Sequence, residues 1–106
     1  MQQEHMSIFR VDKDGRPAGG ESASTGIRIS WQNGPLGRGK DRMPPNGAFV
    51  ETVIAIARDR LQWYQQGEFA CVENEIAIAN LTDALHALEA RTQRRELKGV
   101  EGTHET

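Results

Sequence analysis

Apolar and polar positions divide the chain into two textures. From Phe49 onward apolar side chains recur at three- and four-residue spacing. Val50, Ile54, Ala57, Leu61 and Tyr64 form one row, and Phe49, Val53, Ile56 and Trp63 form its neighbour. That period places each row on one face of a helix. Asn46, behind Pro44 and Pro45, suits an N-cap, and Gly67 suits a stop. A second helical pattern runs from Ala70 to Lys98 and ends at Gly99. With only a few residues around "QGEF" between them, the two segments are expected to form an antiparallel hairpin.

Up to about residue 45 the chain is rich in Gly, Pro and Ser. "MSIFRV" reads as a short strand, and "DKDGRPAGG" carries the Asp-Gly chemistry of a tight turn. "GIRISW" alternates Ile27, Ile29 and Trp31 with Arg28 and Ser30, the period of a half-buried strand. "GGESAST", between them, reads as a loop. The expected fold class is therefore α+β. A small N-terminal antiparallel β unit (1–45) precedes a long antiparallel two-helix hairpin (46–98) and a C-terminal tail (99–106). The two apolar rows of the first helix are wider than one partner helix covers, so the chain is expected to be a homo-oligomer.

Composition narrows the functional classes. At 106 residues the chain has the size of one domain with a modest core. Its formal net charge of −2 disfavours nucleic-acid and membrane-surface binding, which rely on a basic excess. An anion site must then be built locally. Cys71 stands alone, which excludes an internal disulfide and a cysteine zinc cage. No apolar run reaches the roughly 20 residues of a membrane span, and "MQQEHMS" lacks the apolar core of a signal peptide. A soluble protein of a reducing compartment is expected.

The second helical pattern carries the candidate chemistry. Asn74, Ala77, Leu81, Ala84, Leu88, Arg91 and Arg95 follow one unbroken three–four row. It opens on an amide and closes on two guanidiniums, where a plain hairpin would place Leu or Ile. Arginines four residues apart can converge on one phosphate through paired hydrogen bonds. They equally suit the solvated last turns of a helix, where cations complement its dipole. Tyr64, Phe69 and Asn74 cluster at the hairpin tip and offer a stacking ring and an amide. About 25 Å of helix separates Asn74 from Arg91 at the standard rise per residue. A single small ligand can touch both only if they come from different chains packed head to tail.

Other candidates are weaker. "GPLGRGKD" matches neither the P-loop spacing nor G-x-G-x-x-G, so the glycine-rich loop reads as a connector into the first helix. Arg38, with Gly39, is the candidate for a second, symmetric nucleotide site there. Asp83 and His86 have the spacing of a carboxylate–His half-site, with no mate on the first helix. His5 and His104 lie in polar termini. No catalytic residues, metal or cofactor are expected.

"ISWQNGPLGRGKDR", "PPNGAFVE", "FACVEN" and the closing "GVEGTH" together resemble the phage anti-Thoeris signal sponges, which share a helical-hairpin domain with the phage anti-CBASS sponges. The similarity runs from about Gly15 to His104. It implies a non-enzymatic protein that sequesters cyclic ADP-ribose isomers made by TIR-domain defence enzymes, in the cytoplasm of the infected bacterium. It also implies a hexamer with pockets between protomers and, in some members, a separate site for cyclic trinucleotides. The family's aromatic, Asn and arginine pair fall on Tyr64, Asn74, Arg91 and Arg95. Tyr64 stands where the family has Phe, and Val72 stands where it has Arg. Two other classes compete with this reading. One is an RNA- or DNA-binding accessory protein using Arg28, Arg38, Lys40 and Arg42 with Trp31; the other is an oligomerisation hairpin without a ligand.

Overall fold

The structure is a computed structural model that describes residues 1–104. Residues 105 and 106 of the expected tail lie outside the described residues. The described residues divide into two units, residues 1–49 with 98–104, and residues 50–97.

The first unit contains a three-stranded antiparallel sheet in the order β1 (His5–Val11), β2 (Pro17–Ser24), β3 (Ile27–Ser30). "GGESAST", expected as a loop, is instead most of the central strand. It lacks apolar alternation because its contacts are polar and backbone-driven. Ser22 Oγ pairs with Ser7 Oγ at 2.7 Å and accepts from the indole Nε1 of Trp31 at 2.9 Å. Both edges of β2 are hydrogen-bonded to neighbours, so the ladder itself holds the strand. Gly20, opposite Phe9, is buried with φ +130°, and a Cβ there would lie 2.0 Å from the carbonyl oxygen of Ile8. By register Ile29 shares its face with Ser22 and Ser7, and Ile27 shares it with Ser24 and His5, as the alternation predicts.

Between β3 and the first long helix the chain makes a closed loop. Its ends are joined by a parallel bridge, Trp31 to Ala48, with Gln32 N donating to Ala48 O at 3.0 Å and Ala48 N to Ser30 O at 2.7 Å. A ladder of side-chain amides cinches the neck. Gln32 Oε1 accepts from the backbone N–H of Asn46 at 2.9 Å and of Gly47 at 3.2 Å. Asn46 Oδ1 accepts from Asn33 N at 2.8 Å while its Nδ2 donates to Asn33 O at 2.9 Å. This corrects the expected helix start: Asn46 closes the loop rather than capping a helix, and α1 runs Val50–Tyr64. The loop has the length and pinched ends of an Ω-loop.

Within the loop a 3-10 turn, η1 (Gly39–Asp41), presents Arg38 and Arg42 to the segment after the last helix. Arg42 grips Glu101 with both terminal nitrogens, at 2.6 and 3.0 Å, and Arg38 Nη1 donates to the Glu101 carbonyl at 2.7 Å. Gly37 N donates to Gly102 O at 2.7 Å, and a Cβ on Gly102 would approach the Gly37 carbonyl oxygen to 2.3 Å. Thus the phrases "GPLGRGKDR" and "GVEGTH" are two sides of one contact.

The second unit holds α1 and most of α2 (Val72–Lys98). α2 starts two residues later than expected and ends where expected, with Gly99 at φ +74° just beyond its last residue. Gln65 meets Asn74 next to the tip, and two turns earlier on α1 Arg58 donates to Thr82 Oγ1 at 3.2 Å, two turns later on α2. That relation is antiparallel. Ile54, Arg58 and Leu61 on α1, Gln65 just past its end, and Ile78, Leu81, Leu85 and Leu88 on α2 are half-buried. Ile56, Trp63, Val72 and Ile76 are more than half exposed, so each helix has apolar surface left over. Among the described residues no apolar side chain is buried.

Candidate functional site

The hairpin tip is ordered by one side chain. Gln65, the residue just past the end of α1, accepts from the backbone N–H of Cys71 at 2.9 Å through Oε1 and donates to the Cys71 carbonyl at 3.1 Å through Nε2. Its amide thereby mimics a strand neighbour for the residue that precedes α2. Gln65 Oε1 also accepts from Asn74 Nδ2 at 3.0 Å, and Asn74 Nδ2 donates again to the Phe69 carbonyl at 3.1 Å. Both amide protons of Asn74 are therefore used inside the tip. Its Oδ1 is left to accept, so a ligand group bound there must donate.

Tyr64, Phe69, Cys71 and Asn74 line a hollow of about 340 Å³. Tyr64 and Phe69 meet edge-to-face, with centroids 6.2 Å apart and planes at 81°. Of the five residues expected to bind ligand, three are thus brought together within one protomer. Gln65 and Cys71 join them. The signal for Gln65, a polar residue that continues the inward row of α1 just past its end, is visible only once the tip is closed.

One more residue beside the tip was missed by periodicity. Arg60 lies one turn before Tyr64, with its guanidinium carbon 4.6 Å from the Trp63 ring centroid and 5.0 Å from that of Tyr64. Its Nε donates to the Tyr64 hydroxyl at 3.3 Å. The Trp63 and Tyr64 rings are 5.6 Å apart and inclined at 56°. A Phe in place of Tyr64 would keep the ring and lose this bond.

Arg91 and Arg95 do not share an environment. Arg91 is exposed, while Arg95 is 9% exposed, the one charged side chain among the described residues that is buried. The half-buried stripe of α2 passes through Leu88 and Thr92 to Arg95, which leaves Arg91 at its margin. Thr92 Oγ1 donates back to the Leu88 carbonyl at 3.3 Å. On α2 the Arg pair and the tip remain far apart, as the helix length requires. Arg38 is 43% exposed at its side chain and spends one nitrogen on Glu101; Gly39 has φ +59° and open space at its Cβ position. Asp83 and His86 are exposed, and no group of three or more His, Cys, Asp or Glu is placed to hold a metal among the described residues. Among the described residues no helix is long and apolar enough to cross a membrane.

Residues 24–93, which hold α1, the hairpin tip and α2 as far as residue 93, match the family described as "Acb2/Tad1, hairpin domain". The chain belongs to this family. It is also 52% identical over 77 residues to a Bacillus phage SBSphiJ7 protein named Thoeris anti-defense 1. The match covers 73% of this chain and 51% of the relative, so the chain spans about half the relative's length. The matched segment of this chain contains the Tyr64–Asn74 hollow, Arg60 and Arg91; Arg95 lies just past it.

Proposed function

We propose that this chain is a non-catalytic sponge that binds and sequesters cyclic ADP-ribose-type immune signals and so serves a phage against its host's defence. The observation that carries this is the tip hollow of Tyr64, Phe69 and Asn74 on an Acb2/Tad1 hairpin. The anti-defence name of the phage relative points the same way. The work is done in the cytoplasm of the infected bacterium.

In this reading Tyr64 stacks on the adenine, worth about 1–3 kcal/mol. Asn74 Oδ1 accepts from the adenine amino group or a ribose hydroxyl. Arg91 and Arg95 of a neighbouring protomer grip the pyrophosphate by charge-assisted hydrogen bonds. The exposed Ile56, Trp63, Val72 and Ile76 are covered in the homo-oligomer that brings those protomers together, a hexamer by family resemblance. Arg38 and Gly39 form a second site for cyclic trinucleotides. Retention of a signal needs a dissociation constant near nanomolar, about −12 kcal/mol, and no turnover.

A thermal-shift panel of cyclic ADP-ribose isomers, cyclic di- and trinucleotides and linear ADP-ribose tests the reading, because ligands that bind only the native state raise its stability. A shift with cyclic ADP-ribose isomers is expected. No shift with any of them would contradict it, and a response to RNA or DNA alone that collapses with salt would favour the nucleic-acid class instead.

A further inference from the structure

We propose that Arg60 determines specificity at the hairpin tip, selecting a ligand with a neutral base over one whose base is cationic. This rests on the ligand-binding reading of the tip given above.

The geometry starts from helix spacing. Arg60 reaches Trp63 and Tyr64 because residues three and four apart are neighbours on a helix surface. Its guanidinium lies 4.6 Å from one ring centroid and 5.0 Å from the other, and its Nε is tied to the Tyr64 hydroxyl. No carboxylate forms an ion pair with it among the described residues. The charge is therefore held beside the stacking ring and is not cancelled locally.

Two effects then act on whatever stacks on Tyr64. The cation draws the ring's π density toward itself, which weakens the negative face that a second cation would seek. It also repels a positive charge directly. A neutral adenine meets neither penalty. A base stacked on Tyr64 lies roughly 8.5 Å from the guanidinium, adding a stacking distance of about 3.5 Å to the observed separation. Coulomb's law at that distance gives about five-fold to thirty-fold discrimination for effective dielectric constants of about 40 to 20. Arg60 is exposed, so screening favours the lower end, about five-fold.

The distinction is a chemical one among cyclic ADP-riboses. When the ring closes through adenine N1, the adenine is cationic at neutral pH. When it closes through a ribose hydroxyl, the adenine is neutral. The two isomers have the same phosphates, riboses and mass, so their affinity ratio isolates what the pocket reads at the base end.

The test is calorimetric titration of the full chain at pH 7 with an N1-closed and a hydroxyl-closed cyclic ADP-ribose, for the wild type, Arg60→Gln and Arg60→Lys. The affinity ratio in favour of the hydroxyl-closed isomer is expected to fall about five-fold in Arg60→Gln and to stay near wild type in Arg60→Lys, which keeps the charge. Raising salt should shrink the ratio in the wild type and leave it unchanged in Arg60→Gln. If Arg60→Gln weakens both isomers equally, or changes neither, Arg60 does not select by charge and the proposal is overturned while the tip remains a binding site. If neither isomer binds the wild type, the tip reading fails and this inference with it.

Discussion

Gln65 holds Cys71 by both of its backbone groups, accepting from its N–H at 2.9 Å and donating to its carbonyl at 3.1 Å. A single side-chain amide thereby closes the turn between the helices and, through a third bond, sets Asn74. Gln65→Ala should lower stability by about 1–3 kcal/mol, the usual consequence of leaving part-buried polar partners unpaired. It should also weaken ligand binding, because Asn74 loses one of its two anchors. Thermal unfolding and titration of the variant check both; an unchanged midpoint would show that the tip is held by backbone turns alone.

Two glycines of the sheet unit have different roles. Gly20→Ala puts a methyl group 2.0 Å from the Ile8 carbonyl oxygen at φ +130°, so it should destabilise the protein by more than about 3 kcal/mol. Gly26→Ala meets open space at φ +82° and should lose only about 1–2 kcal/mol for the left-handed backbone. Chemical denaturation of the two variants measures the difference. Equal losses would mean that β2 does not press on β1 at Ile8.

The turn between β1 and β2 is sensitive to acid through Asp12. Its carboxylate accepts from the backbone N–H of Arg16 at 3.0 Å, the largest influence, and from that of Asp14 at 2.8 Å, and these hold its pKa below the ordinary 3.8. A depressed folded-state pKa means stability that is fully present above the unfolded value and is lost as pH falls through the folded one. An NMR titration of the Asp12 carboxyl carbon should show a midpoint under 3.8. A midpoint at or above it would mean that the turn does not need the charge.

How much of this was legible depends on what each element is made of. The helices were, because Ile54, Leu61, Ile78, Leu85 and their neighbours repeat at helical spacing over several turns. The central strand was not, because "GGESAS" is held by ladder bonds and by Ser22, which alternation in hydrophobicity does not register. Asn46 has the chemistry of an N-cap, and the same oxygen and amide serve Asn33 instead. Local preference could not reveal that competition, since Asn33 is distant in sequence. Tyr64, Phe69 and Asn74 were legible as a cluster because a short tip leaves them nowhere else to go. Arg60 was hidden because a charged residue between apolar rows reads as solvated surface. Its two ring contacts follow from the helix only once Trp63 and Tyr64 are placed.

If the pocket is shared between neighbouring protomers, two disabled chains should complement each other. Tyr64→Ala and Arg91→Ala should each abolish tight binding alone. Co-assembled in equal amounts, about a quarter of the pockets would combine an intact tip with an intact arginine, by random mixing in a closed head-to-tail assembly. Recovery of that fraction of ligand-binding stoichiometry is expected. No recovery from a mixed assembly would place tip and arginine in separate functions.

The central claim is that the chain binds a cyclic ADP-ribose signal and keeps it intact. Calorimetric titration of the purified chain with a hydroxyl-closed cyclic ADP-ribose, followed by recovery of the ligand from denatured complex, tests it most directly. The account predicts saturable binding near nanomolar, an intact ligand on release, and a large loss of affinity in Arg91→Ala. Absence of binding, or recovery of a linearised product, would contradict it.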